Sequence, residues 1–111
     1  MARLIVYLVF GVFCWVPALS LAALQGDYTI VIKDHKFDPA VLDVPSGKKV
    51  KLIIDNQDTS TEEFESFQLG REKVVVGGKK ILIFIGPLKP GVYKYFGDFH
   101  PQTAQGVINA Q

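Results

Sequence analysis

The chain has 111 residues, 49% of them hydrophobic and 21% charged, with 12 basic against 11 acidic side chains and one Cys, one Met and one Trp. These values fit a single small globular domain. They exclude a disordered chain, a collagen-like repeat, a disulfide scaffold and a nucleic-acid binder with a large basic surface.

Arg3 precedes an apolar run from Leu4 to Ala22 that closes on small residues at Ser20 and Ala22. A basic start, an apolar stretch and small closing residues form a secretory signal peptide, and they predict cleavage after Ala22 and export of the rest. An apolar run of about 20 residues also suffices to anchor an uncleaved chain in a bilayer, although Pro17 and Ser20 interrupt this one. Cys14 follows Phe13 rather than the small residue a lipoprotein site needs.

Removal of residues 1–22 leaves 89 residues, 23–111, with no Cys, Met or Trp and with 11 basic and 11 acidic side chains. A neutral domain has no overall charge to steer it toward nucleic acid or anionic lipid. Without cysteines, an exported domain of this size depends on core packing for its stability.

From Asp27 onward, short runs rich in Val, Ile, Tyr and Phe alternate with Gly, Pro, Asn and Asp. This spacing predicts an all-β, antiparallel sandwich or barrel of seven to eight strands, near 27–33, 40–45, 48–55, 63–69, 73–76, 80–85, 91–96 and 106–110. Between the first two lies Asp34-His-Lys-Phe-Asp-Pro39, whose His35 is a secondary metal-ligand candidate beside its reading as a solvated turn. Pro45-Ser-Gly47 is a turn. In the strand after it, Val50, Leu52 and Ile54 point inward while Lys49, Lys51 and Asp55 face water.

Period 2 over 60–69 places Glu63, Glu65, Phe67 and Leu69 on one face and Phe64, Ser66 and Gln68 on the other. If Phe67 and Leu69 face the core, two carboxylates are buried and need a cation or dense hydrogen bonding, because uncompensated burial costs several kcal/mol. In the opposite register Phe64 is inward and both glutamates are solvated. Farther along, Gly77-Gly78 suits a tight hairpin between Val74–Val76 and Ile81–Ile85, and Pro90-Gly91 is a turn. The loop Phe96–Gly106 carries Asp98 and His100, with Phe96, Phe99 and Pro101 expected to hold it against the domain. Histidine is the most adaptable metal ligand available to this chain.

The order Phe37-Asp-Pro39, Val44-Pro-Ser-Gly-Lys-Lys-Val50, Ile54-Asp-Asn56, Pro90-Gly-Val-Tyr-Lys-Tyr95, His100-Pro101 and Gly106-Val-Ile108 resembles a cupredoxin. The resemblance implies a Greek-key β-sandwich, residues 23–111, with a metal site at one end. It also implies that Glu63 stands where blue-copper proteins have their first histidine, Gly97 where they have the cysteine and Ala104 where they have the axial methionine. Blue-copper electron transfer needs the thiolate, so that activity is not expected of residues 23–111.

The phrases Phe64-Glu-Ser-Phe67 and Gly97-Asp-Phe-His100 are similar to the cupredoxin-like components of bacterial iron-uptake systems. That similarity implies a periplasmic metal-binding protein acting beside an inner-membrane iron permease or a redox partner. Glu63, Glu65 and His100 would then be ligands, and Asp98 a ligand or a group orienting the ring. An oxygen-rich, sulfur-free set favours iron or copper. A metal-free cupredoxin-like module that contacts a membrane permease or redox partner is the alternative. No Ser-His-Asp spacing or phosphate-cradling loop points to an enzyme, and ferrous oxidation is the one catalysis the residues leave open.

Overall fold

The computed structural model describes Gly11 and residues 27–111. The signal peptide expected at 1–22 therefore lies, apart from Gly11, outside the described residues. Among the described residues no helix is long and apolar enough to cross a membrane.

Among the described residues nine strands form the domain: β1 (Asp27–Lys33), β2 (Lys36–Asp38), β3 (Val41–Val44), β4 (Val50–Asn56), β5 (Glu62–Ser66), β6 (Arg71–Val75), β7 (Lys80–Ile85), β8 (Gly91–Gly97) and β9 (Gln105–Ala110). They make two sheets, ordered β2-β1-β4-β7 and β3-β9-β8-β5-β6. This all-β sandwich matches the expected fold with one short strand more, because residues 36–38 pair with β1 instead of forming a turn, and it departs from the expected antiparallel order where β1 pairs with β4 and β3 with β9 in parallel.

Alternation along β4 is as expected: Val50, Leu52 and Ile54 are buried, while Lys51, Ile53 and Asp55 are partly exposed. These side chains meet Ile30 and Ile32 of β1 and Ile83 and Ile85 of β7 in the core. Facing them, Phe64 and Tyr95 lie with ring centroids 5.0 Å apart, and Phe37 packs edge-on to Tyr95, also at 5.0 Å. Such tilted and edge contacts add to the area term for aromatics. Burial also pushes the Tyr95 hydroxyl well above the usual phenol range. A Cβ on its cross-strand partner Gly106 would come within 2.3 Å of the ring, so only glycine fits there.

Three local expectations are corrected. The strand expected over 63–69 stops at Ser66, where Ser66 Oγ accepts from the Leu69 N–H at 3.1 Å and a turn begins. The break frees Phe67, 79% exposed, from sharing a face with Glu65, and the register follows Phe64, which is fully buried. Gly77-Gly78 does not close a hairpin: β6 pairs with β5 and β7 with β4, so the glycines cross between sheets. They do so against the 58–59 backbone, where a Cβ on Gly77 would lie 2.1 Å from the Thr59 carbonyl oxygen and the Gly78 N–H donates to Asp58 O at 2.9 Å. Finally, Phe99 is 48% exposed and does not brace its loop. That role belongs to a buried glutamate.

Candidate metal centre

Topology brings three segments to one end of the sandwich. Strands β1 and β4 run parallel, so the β1–β2 turn and the loop after Asn56 emerge together. Strand β5 is antiparallel to β8, so Glu62 at the start of β5 lies beside Gly97 at the end of β8. The β8–β9 loop then carries His100 back over the same corner.

Glu62 shares the inward face of β5 with Phe64 and Ser66 and is 1% exposed. Its carboxylate is fully engaged. Oε1 accepts from the backbone N–H of Phe99 at 2.9 Å and of Glu63 at 3.0 Å. Oε2 lies 2.5 Å from Nδ1 of His100. Since an ionised carboxylate only accepts, the two atoms share one proton. The room for this carboxylate comes from Gly97: a Cβ there would lie 2.6 Å from Glu62 Cδ, 2.8 Å from its Oε1 and 2.7 Å from Ala104 Cβ. Glu62, rather than Glu63, is thus the residue that shares the corner with Gly97, Ala104 and His100.

His35 completes the group. Its ring stacks on that of His100, with centroids 3.6 Å apart and an interplanar angle of 15°. It reaches there from a strained turn: Asp34 and His35 have φ of 53° and 57°, a conformation that costs a non-glycine residue about 1–2 kcal/mol. Both strained residues donate their N–H to one carboxylate, Asp34 to Oδ1 of Asp58 at 2.8 Å and His35 to Oδ2 at 3.0 Å. Burial works to raise the Asp58 pKa, but these two bonds and the neighbouring His35 and His100 outweigh it and hold the carboxyl below the usual range.

Ligand atoms of His35, Glu62 and His100 lie within 4.8 Å of one another. Two bonds of about 2.0–2.2 Å to one ion span up to about 4.4 Å, so the three can share an ion once the stacked rings turn their nitrogens toward it. Two imidazoles and a carboxylate suit copper, iron or zinc.

Glu63 and Glu65 point to the opposite face of β5 and form a separate group with Glu72 of β6, which pairs with Glu65 across the strands. Glu63 is 9% exposed, and its Oε1 is buried without a hydrogen-bond partner. The adjoining Glu72 carboxyl most of all, then burial, then the charges of Asp98 and Glu65 push its pKa up to about 7. Burial first, then Glu72 and Asp98, also raise that of Glu65. Asp98 adjoins this group, its N–H donating to the Glu63 carbonyl at 2.9 Å.

Of the sequence-derived candidates, the structure therefore gathers His100 and His35 in one group and Glu63, Glu65 and Asp98 around another. Glu62, Asp58 and Glu72 escaped the sequence reading. Glu62 was legible in principle, since period 2 puts it on the Phe64 face; Asp58 and Glu72 join through pairings that local pattern does not reveal.

Comparisons agree with this architecture. A protein of Rickettsia prowazekii (strain Madrid E), RP394, is 56% identical over 79 residues, which are 71% of this chain and 63% of that protein. Auracyanin A, a "blue" copper protein from Chloroflexus aurantiacus, superposes with a TM-score of 0.67 at 14% identity, over 77% of this chain and 98% of its own. The metal binding domain of the Streptococcus pneumoniae D39 Cu(I) exporting P-type ATPase CopA, solved with Cu(I), gives 0.65 at 13% identity, over 77% and 84%. At these identities the likeness to the two structures is one of fold. The family described as Cupredoxin-like domain matches residues 4–110, and the chain belongs to it.

Proposed function

We propose that this protein is an exported metal-binding module of a bacterial iron-uptake system, holding copper or iron at His35, Glu62 and His100. The observation that carries the reading is a buried carboxylate sharing one proton with an imidazole, under a second stacked imidazole, at the end of a cupredoxin-like fold. An ion would take the place of that proton, and His35 would add a second nitrogen. Bound there, it would supply a charge and a Lewis-acid or redox centre without thiolate character, since the sole cysteine, Cys14, belongs to the N-terminal segment. Structural neighbours named for copper support the choice of ion. The outer group, Glu63, Glu65 and Glu72, offers oxygen only and suits harder ions such as ferric iron.

Calorimetric titration with Cu(II), Fe(III) and Zn(II) tests this. One equivalent binds tighter than about 100 μM, and a millimolar excess over a micromolar site stabilises by about 4 kcal/mol. Glu62→Ala and His100→Ala abolish both effects. The reading fails if none of the three ions binds in that range, or if the two variants bind like the parent.

One feature favours the alternative, a metal-free module that docks on a permease or redox partner. A groove of 590 Å³ beside the His100 loop is lined by Val41, Tyr95, Phe96, Pro101 and Val107. Under this reading, metal leaves the melting temperature unchanged.

A further inference from the structure

His35 reaches the centre from the two-residue β1–β2 turn, with positive φ at both turn residues as such a hairpin requires. The backbone N–H groups of both are also held from outside the turn. The group that does so is Asp58, whose two carboxylate oxygens take the N–H groups of Asp34 and His35 separately. Oδ2 also lies 3.5 Å from His35 Nδ1, so the carboxylate reaches the ring as well as the backbone behind it.

Asp58 is itself anchored in the core. Its N–H donates to the Asn56 side-chain oxygen at 3.0 Å. Asn56 is fully buried, and its amide nitrogen donates to the carbonyls of Ser60 at 2.9 Å and Val75 at 3.0 Å. The Asp58 carbonyl accepts from Gly78, and the Gln57 N–H donates to Ile32 O at 2.8 Å. A continuous run of hydrogen bonds thus leads from the sheet interior through Asn56 and Asp58 to His35, which meets His100 by stacking.

Resting on the metal-centre reading above, we infer that Asp58 is the positioning residue of that centre: its carboxylate clamps the Asp34–His35 turn and makes His35 the second nitrogen donor. It touches no bound ion. Its removal leaves Glu62 and His100 in place and releases His35.

The test uses the purified protein carrying Cys14→Ser, so that no thiol competes, with Cu(II) as the probe ion. Electron paramagnetic resonance reads the number of coupled nitrogens. The parent shows two, His35→Ala shows one, and Asp58→Ala also shows one, with Cu(II) affinity lower by about 10- to 100-fold. Asp58→Asn keeps one acceptor oxygen and falls between. Asp34→Gly, which adopts the left-handed conformation without strain, restores part of the second-nitrogen signal when added to Asp58→Ala. The inference is overturned if Asp58→Ala keeps two nitrogens and an affinity within about twofold of the parent, a change too small to reflect a lost outer partner.

Absence of Cu(II) binding by the parent sinks the metal-centre reading instead, and the clamp is then read without metal by nuclear magnetic resonance of the His35 ring. Stacking on His100 shifts those protons. In Asp58→Ala they move to the values of a free side chain; unmoved shifts overturn the inference.

Discussion

Gly97 and Glu62 compete for one volume, and this makes a quantitative test. Gly97→Ala would place a methyl 2.6 Å from Glu62 Cδ and 2.7 Å from Ala104 Cβ. Overpacking of this kind costs about 1–3 kcal/mol. Displacing the carboxylate also strips the Phe99 and Glu63 N–H groups of their acceptor, and hydrogen bonds to charged groups contribute about 1.5–3 kcal/mol. Together these give a loss of about 4–9 kcal/mol, a large part of a small domain's margin of about 5–15 kcal/mol. In thermal unfolding that is a drop of about 15 °C or more. Glu62→Ala alone loses the same two bonds and the contact with His100 Nδ1, and costs at least about 3–6 kcal/mol. In the double variant the new methyl meets empty space where the carboxylate was, leaving only the Ala104 contact. The two changes should therefore be less than additive, by about 3 kcal/mol or more, in urea titrations followed by circular dichroism. Additivity within about 0.5 kcal/mol would show that the carboxylate does not occupy the space beside Gly97.

Three further outcomes follow from the same structure. Between pH 4.5 and about 7 the folded state holds a proton on Glu63 that the unfolded chain releases near pH 4.5, so its stability contribution is present below 4.5 and is lost as pH rises through 7. Glu63→Gln should flatten this part of the melting-temperature profile in metal-free protein; Asp58, whose pKa is lowered from 3.8, acts only below the window. Phe64→Ala should cost about 3–5 kcal/mol, whereas Phe67→Ala should stay within about 0.5 kcal/mol; the reverse order in denaturant unfolding would place β5 in the other register. Asn56→Ala leaves the buried Val75 carbonyl without its amide partner and should cost about 3 kcal/mol, while also weakening Cu(II) binding through loss of the Asp58 anchor.

The fold was legible because strand alternation and turn residues are local signals. Val50, Leu52 and Ile54 face inward as their spacing requires, and the strands at 27–33 and 80–85 fall where they were expected. The partner of each strand was not legible. Gly77-Gly78 carries a hairpin composition, yet the residues after it pair with β4 in the other sheet. The same distinction governs the site. His100 and His35 stand out by residue type, but their stacking depends on a turn held by Asp58, 23 residues after His35 in the chain. Glu62 was hidden by a choice of register. The extended period through Phe67 and Leu69 drew attention to Glu63 and Glu65, whereas the turn after Ser66 ends that period and lets Phe64 carry Glu62 inward.

The central claim is that one ion is held between two imidazoles and the carboxylate of Glu62, and anomalous diffraction from Cu(II)-soaked crystals measures this directly. The account predicts a single strong peak within bonding distance of His35, Glu62 and His100. A peak only among Glu63, Glu65 and Glu72, or none beside His100, would contradict it.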